Sequence, residues 1–189
     1  MGKENPILGI IGGGQLGSML ATAAKKLNIK TIVLSDDTEA PAKNFCDELI
    51  ISDYNKVKNI EEFANKVDIV TFEFENIPFK ILEYIGKLKP ILPKPTVNKI
   101  VQNRFTEKKF IQNTARAFNE LEIKTVDYGL IKEKSDILKN EGLLPGILKT
   151  CTLGYDGKGQ FIINNTEEVN KLEIDFDKEY ILEKKIILK

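Results

Sequence analysis

The chain has 189 residues, 42% of them hydrophobic, enough for one ordinary domain or two small ones with real cores. Lys plus Arg and Asp plus Glu balance at 28 each, so no field favours nucleic acid or an anionic membrane surface, and no apolar run approaches the ~18 to 20 residues of a spanning helix. The count of zero histidines removes the commonest general base, the commonest metal ligand and every Ser-His or Cys-His nucleophile, leaving carboxylates, lysines, arginine and backbone amides, a set suited to phosphoryl transfer.

The opening residues lead straight into an apolar strand rather than a leader segment, and the two cysteines, Cys46 and Cys151, lie far apart. Both features predict a reducing, cytoplasmic setting. The strand at 7–11 runs into Gly12-Gly13-Gly14-Gln15-Leu16-Gly17, after which Leu16, Met19, Leu20, Ala23, Ala24 and Leu27 recur at helical spacing. Strands are predicted at 30–34, 49–52 and 69–74, with an amphipathic helix marked by Val57, Ile60, Phe63, Ala64 and Val67 before the last. Strands alternating with helices imply an α/β domain with a doubly wound parallel sheet.

Prolines at 78, 90, 93 and 95 punctuate the chain, and a domain boundary is placed at 95/96, giving domains 1–95 and 96–189. A helix is predicted over 96–119 with Thr96 as N-cap, carrying Arg104 and Lys108 one turn apart. Short strands at 125–131, 146–150, 161–164 and 179–183 alternate with helices near 135–140 and after Thr166, so the second half reads as a small α+β domain.

Gly12-x-Gly14-x-x-Gly17 follows a strand and opens a helix, with Asp36 about 20 residues on, the spacing of a dinucleotide fingerprint. The helix end near Gln15 offers free N–H groups to a phosphate; tight helix-on-strand packing without ligand explains the same glycines. Glu73-Phe74-Glu75 ends the fourth strand, the edge where open α/β sheets bind ligands. Alternation points both carboxylates to one face, where they fit ribose hydroxyls or a solvated strand end equally well. Lys149, then Gly154, Gly157 and Gly159 with Lys158, make either a phosphate cradle or a hairpin turn between the strands that flank them. Tyr155 and Asp156 are turn formers on the plainer reading, Arg104 a surface residue and Glu183 an edge-strand charge.

In order, the motif at 12–17, Glu73-Phe-Glu-Asn-Ile-Pro78, Gln102-Asn-Arg104 with Glu107-Lys108, Leu148-Lys149-Thr150, Gly154-Tyr-Asp-Gly-Lys-Gly-Gln160 and Ile181-Leu-Glu183 resemble one family. It is the 5-(carboxyamino)imidazole ribonucleotide synthetases, the ATPase subunit of phosphoribosylaminoimidazole carboxylase, ATP-grasp enzymes of purine synthesis. The resemblance implies a pre-ATP-grasp domain followed by the first lobe of an ATP-grasp fold. It also implies the reaction: ATP phosphorylates bicarbonate, and the carboxyphosphate or its CO₂ carboxylates the exocyclic amine of 5-aminoimidazole ribonucleotide, leaving ADP and phosphate.

By the same similarity Arg104, Lys149, Gly154, Tyr155, Asp156, Gly157, Lys158, Gly159 and Gln160 contact ATP phosphates. Glu183, Lys184, Lys185 and Ile186 form the hinge that reads adenine, and Gly14, Gln15, Leu16, Glu73 and Glu75 hold the ribonucleotide. Tyr155 and Asp156 fall between the ligands. Ser18 stands where the family usually has arginine, and 110–122 is longer than the corresponding helix and turn. The sequence stops at Lys189, about halfway along the family, so the Mg²⁺ ligands for ATP are expected in the other half, with no metal site here and no catalytic residue assigned. A homodimer or a complementary C-terminal chain is the implied protein partner. Two other readings remain: a split or remnant product that binds nucleotide without turnover, and an NAD-binding oxidoreductase domain.

Overall fold

The computed structural model describes residues 6–118, 123–154 and 159–187. Two compact units form, Met1–Lys99 and Ile100–Lys189. In the first, four parallel strands, β1 (Ile7–Ile11), β2 (Lys30–Ser35), β3 (Glu48–Ile51) and β4 (Ile69–Phe72), lie in the order β3-β2-β1-β4. Central strands buried on both faces need apolar residues at successive positions, and β1 supplies them: Ile10 and Ile11 are both fully buried.

Ile10 packs with Val33, Ala42 and Ala21 of α1 (Gln15–Lys26). Ile11 joins Leu34 and the apolar faces of α2 (Val57–Lys66) and α3 (Phe79–Leu88), chiefly Ile60, Phe63, Leu82 and Ile85. Helices therefore cover both faces, as the alternating pattern predicts. The connection after β1 runs to β2 on one side, while the chain after β3 returns to β4 on the other. This makes the carboxyl ends of β1 and β4 the switch point, where a crevice opens in such sheets.

The fourth strand ends at Phe72, two residues short of the predicted 69–74. Its ladder to β1 closes at Ile11↔Phe72 because β1 turns away at Gly12, whose φ of +109° is a left-handed value that glycine tolerates. Glu73, Phe74 and Glu75 thus lie beyond the pleat, and the alternation that put both carboxylates on one face does not reach them.

The single helix predicted over 96–119 forms as two, α4 (Pro95–Val101) and α5 (Arg104–Ala117). Pro95 opens α4, with its fixed φ and missing N–H suited to a first turn, so Thr96 is inside the helix and not its N-cap. Asn103 divides the two: its Oδ1 accepts from Phe105 N–H at 3.0 Å and Thr106 N–H at 3.1 Å, a cap that starts a new helix.

In the second unit, β5 (Tyr128–Ile131), β6 (Gly146–Thr150), β7 (Gln160–Ile163) and β8 (Tyr180–Lys184) form an antiparallel sheet in the order β5-β8-β6-β7. Leu148 and Leu182 point to one face and are buried with Ile137 of α6 (Lys134–Lys139) and Val169 of α7 (Thr166–Asn170). By the two-residue period, Tyr128, Lys149 and Glu183 point to the other face, toward α5. The ring of Phe105 meets that of Tyr128 edge-on at 5.7 Å between centroids.

Candidate functional site

The crevice of the first unit is built around Glu73. Its backbone N–H donates to Ile11 O at 3.2 Å, and its carboxylate accepts from the backbone N–H groups of Gly14 and Gly17 at the start of α1. No side chain caps that helix, so Glu73 supplies the anion that its positive end favours. Gly12 and Gly17 make room for this arrangement, whereas a Cβ on Gly14 would meet Glu73 Oε1 at an ordinary 3.5 Å. A Cβ on Gly12 would lie 2.6 Å from Glu73 Oε1, and one on Gly17 would lie 2.3 Å from Gly12 O, which is the close helix-to-strand approach. Burial raises the Glu73 carboxyl above its usual value against the pull of the two amides.

Gly14, Gln15 and Leu16 are exposed at the same helix end. Ser18 is buried and donates its hydroxyl to Gly14 O at 3.0 Å, so it braces the first turn. Glu75 is exposed beyond the strand end. The features of a dinucleotide fingerprint are engaged elsewhere: Glu73 occupies the amides where a pyrophosphate would sit. The Asp36 carboxylate accepts from the hydroxyl of buried Tyr54. Burial, then the Asp36 charge, pushes the Tyr54 phenol up.

The second unit gathers charge around Glu183, which is 8% exposed. Lys149 pairs across the sheet with Ile181, so Glu183, two residues on, is its same-face diagonal neighbour. Lys149 Nζ donates to Glu183 Oε2 at 2.7 Å. The other oxygen, Oε1, lies 3.3 Å from Nζ of Lys108, which reaches down from α5. Two ammonium groups therefore share one carboxylate. Arg104, one turn before Lys108, donates through Nη1 to Thr150 O at 2.8 Å and through Nη2 to Gly154 O, while its backbone N–H bonds Cys151 O at 2.9 Å. It is half-buried and ties α5 to the first residues of the glycine loop, which a plain surface arginine does not do.

That loop joins β6 to β7, whose register Lys149↔Gln160 makes it a hairpin connection, and Gly159 adopts φ of +70° beside Thr150. Tyr155, Asp156, Gly157 and Lys158 lie outside the described residues, as do 119–122 of the long segment after Phe110. Cys151, at the loop's root, is buried, and that burial is the chief cause pushing its thiol up to about 11.

The backbone N–H of Lys184 bonds Asp127 O and that of Lys185 bonds Pro145 O, both at 2.9 Å. Lys184, Lys185 and Ile186 then line a groove of about 580 Å³ with Lys124, Thr125, Val126 and Asp127. Thr125 Oγ1 is buried there without a hydrogen-bond partner among the described residues. Among the described residues no three His, Cys, Asp or Glu side chains cluster as a metal cage. No helix among them is long and apolar enough to cross a membrane.

Sequence reasoning gave Lys108 no role. Its position one turn from Arg104 puts the two on one side of α5, and the tertiary placement of the helix turns that side to the sheet.

Comparison with known proteins matches residues 6–102 to the ribonucleotide synthetase pre-ATP-grasp domain and residues 116–189 to the ATP-grasp domain. The N5-carboxyaminoimidazole ribonucleotide synthase of Brucella melitensis is 38% identical over 168 residues, covering 88% of this chain and 44% of that protein. The crystal structure of N5-carboxyaminoimidazole synthetase from Staphylococcus aureus with ADP has a TM-score of 0.86 and 33% identity, covering 97% of this chain and 48% of the other. That of the Aspergillus clavatus N5-carboxyaminoimidazole synthase with ADP and 5-aminoimidazole ribonucleotide has a TM-score of 0.77 and 25% identity, covering 95% and 46%. The chain spans less than half the length of these relatives. It belongs to the ribonucleotide synthetase pre-ATP-grasp family, with an ATP-grasp segment following the family domain.

Proposed function

We propose that this chain supplies the ribonucleotide-binding domain (1–95) and the first ATP-grasp lobe (96–189) of a machinery that carboxylates 5-aminoimidazole ribonucleotide in purine synthesis, using ATP and bicarbonate. The observation that carries the reading is the pairing of Lys149 and Lys108 with the single carboxylate of Glu183 beside the glycine loop, which leaves surplus positive charge where a nucleotide's phosphates would lie. The groove along Lys184, Lys185 and Ile186 suits a flat base read through backbone groups, and the relative from Staphylococcus aureus binds ADP. In this reading Arg104, Lys149 and residues 154–160 cover the phosphates and Glu183 anchors the hinge.

On the first unit, Glu73 keeps acceptor capacity after taking two amides, so it suits the vicinal hydroxyls of a ribose. A negative carboxylate on the helix end disfavours phosphate there, so Gly14, Gln15 and Leu16 would line the sugar and base, with Glu75 at the rim. The relative from Aspergillus clavatus binds this ribonucleotide together with ADP.

Mg²⁺ would travel with ATP, and its protein ligands would come from the portion of the relatives that this chain does not span. The partner is then a chain carrying that portion, or a second copy, in the cytoplasm. Binding without turnover is the second reading, favoured by the chain's covering only 44% of the Brucella relative. The test is phosphate release from ATP, measured with this chain alone and with a separately produced C-terminal half of the Brucella relative. Release that needs both bicarbonate and the ribonucleotide supports the carboxylating reading. Release independent of either would contradict it, and none in the mixture would leave binding as the function.

A further inference from the structure

We infer that Lys108 is the standing counter-ion of Glu183, a positioning residue that frees Lys149 to engage phosphate when a nucleotide arrives. The inference rests on the nucleotide reading of the second unit given above.

Glu183 is nearly buried, and a buried carboxylate is costly unless paired. The two lysines divide its oxygens, Lys149 on Oε2 at 2.7 Å and Lys108 on Oε1 at 3.3 Å. Were Lys149 the sole partner, turning its ammonium toward a phosphate would strand the carboxylate without a counter-charge. The shorter contact would then hold Lys149 away from the ligand. With Lys108 in place the carboxylate remains paired throughout, and one positive charge is available for the incoming anion.

The two lysines also come from different elements, which makes the division of labour workable. Lys149 stands on β6, next to Thr150, whose backbone N–H bonds Gly159 O at 3.2 Å at the far end of the glycine loop. Lys108 stands on α5, whose first turn is fixed by the Arg104 bonds to Thr150 O and Gly154 O. Its side chain and that of Lys149 are equally buried, 21% and 22% exposed, so the difference between them lies in what each element is tied to. Asn103 caps the same turn. Lys108 is therefore the partner held in place, and Lys149 the one beside the loop.

The test is calorimetric titration of the 189-residue chain with ADP, AMP and adenosine in the presence of Mg²⁺, for the parent, Lys108→Met, Lys108→Arg and the double variant Lys108→Met/Glu183→Gln. Lys108→Met should bind ADP on the order of tenfold more weakly, with adenosine affinity unchanged, because only the phosphate-binding lysine is withheld. Lys108→Arg should restore the parent affinity. The double variant should recover most of the loss, since a neutral amide no longer retains Lys149. A purely structural role for Lys108 would weaken adenosine and ADP alike and gain nothing from Glu183→Gln; that outcome overturns the proposal. Equal ADP affinity in Lys108→Met and parent overturns it too. If Lys108→Met fails to fold, the arginine and double variants still decide, since recovery in both is required. Failure of the parent to bind ADP would instead remove the nucleotide reading itself, and the inference with it.

Discussion

Lys149 Nζ and Glu183 Oε2 meet at 2.7 Å across neighbouring strands β6 and β8, on the sheet face opposite the core of the second unit. The pair is not symmetrical in its consequences, because Glu183 has a second lysine, Lys108, whereas Lys149 has no second carboxylate among the described residues. Removing Lys149 leaves the carboxylate with Lys108; removing Glu183 leaves two facing ammonium groups. Lys149→Met should therefore cost about 1 kcal/mol of unfolding free energy, whereas Glu183→Ala should cost about 2–4 kcal/mol, discounted for partial exposure. Urea denaturation of both variants checks this, and equal losses would contradict the shared-carboxylate arrangement.

The glycine turn of the first unit makes a sharper steric prediction. A Cβ on Gly17 would stand 2.3 Å from a backbone oxygen, that of Gly12, so Gly17→Ala must push α1 away from the end of β1. The expected cost is about 1–3 kcal/mol. Gly142 is the control, because nothing lies within 4 Å of a Cβ there, and Gly142→Ala should stay within about 0.5 kcal/mol of the parent. Similar losses at both positions would mean that the helix is not packed this closely.

Glu73 links stability to acid pH. Burial raises its carboxyl above the ordinary 4.5, so the folded chain holds the proton more tightly than the unfolded one. Its adverse contribution to stability sets in as pH rises from that ordinary value through the raised one, and is relieved as pH falls back. Glu73→Gln lacks this dependence. The stability of the variant relative to the parent should accordingly be more favourable at pH about 7 than at pH about 4. A difference independent of pH would show that the amides of Gly14 and Gly17 offset the burial in full.

Tyr54 sets the alkaline limit in the same way. Burial and the Asp36 charge raise its phenol above the ordinary 10.0, so the unfolded chain loses that proton first and stability falls as pH rises beyond that value. Tyr54→Phe should cost about 1 kcal/mol near neutrality, the net value of its bond to Asp36. It should also lose stability less steeply than the parent above pH about 10. Parallel alkaline profiles would contradict the buried hydroxyl.

Much of this fold is legible in the residues, and the places where it is not share a cause. Ile7–Ile11, the glycines after it and the apolar periodicity of α1 and α2 declare a doubly wound sheet because local pattern and tertiary burial agree. The break at Asn103 was hidden because apolar spacing continues across it; the deciding event is one side-chain oxygen turning back to cap two amides. By sequence alternation Glu73 and Glu75 share one strand face, yet the turn of β1 at Gly12 ends the ladder before it reaches them.

The site divides along the same line. The order of motifs identifies Lys149 and Glu183, whereas their contact requires the register of β6 on β8, and the third member, Lys108, comes from a helix whose placement no local spacing specifies. The Glu73 carboxylate on the α1 amides was likewise invisible, since the sequence offers that helix end to a phosphate without saying which internal anion reaches it first.

Calorimetric titration of the chain with Mg·ATP, with 5-aminoimidazole ribonucleotide and with NAD, repeated for Lys149→Ala, decides the central question of what the two units hold. Both ATP and the ribonucleotide should bind the parent, NAD should not, and Lys149→Ala should weaken ATP by about tenfold or more while leaving the ribonucleotide untouched. Binding of NAD alone, or ATP affinity indifferent to Lys149, would contradict it.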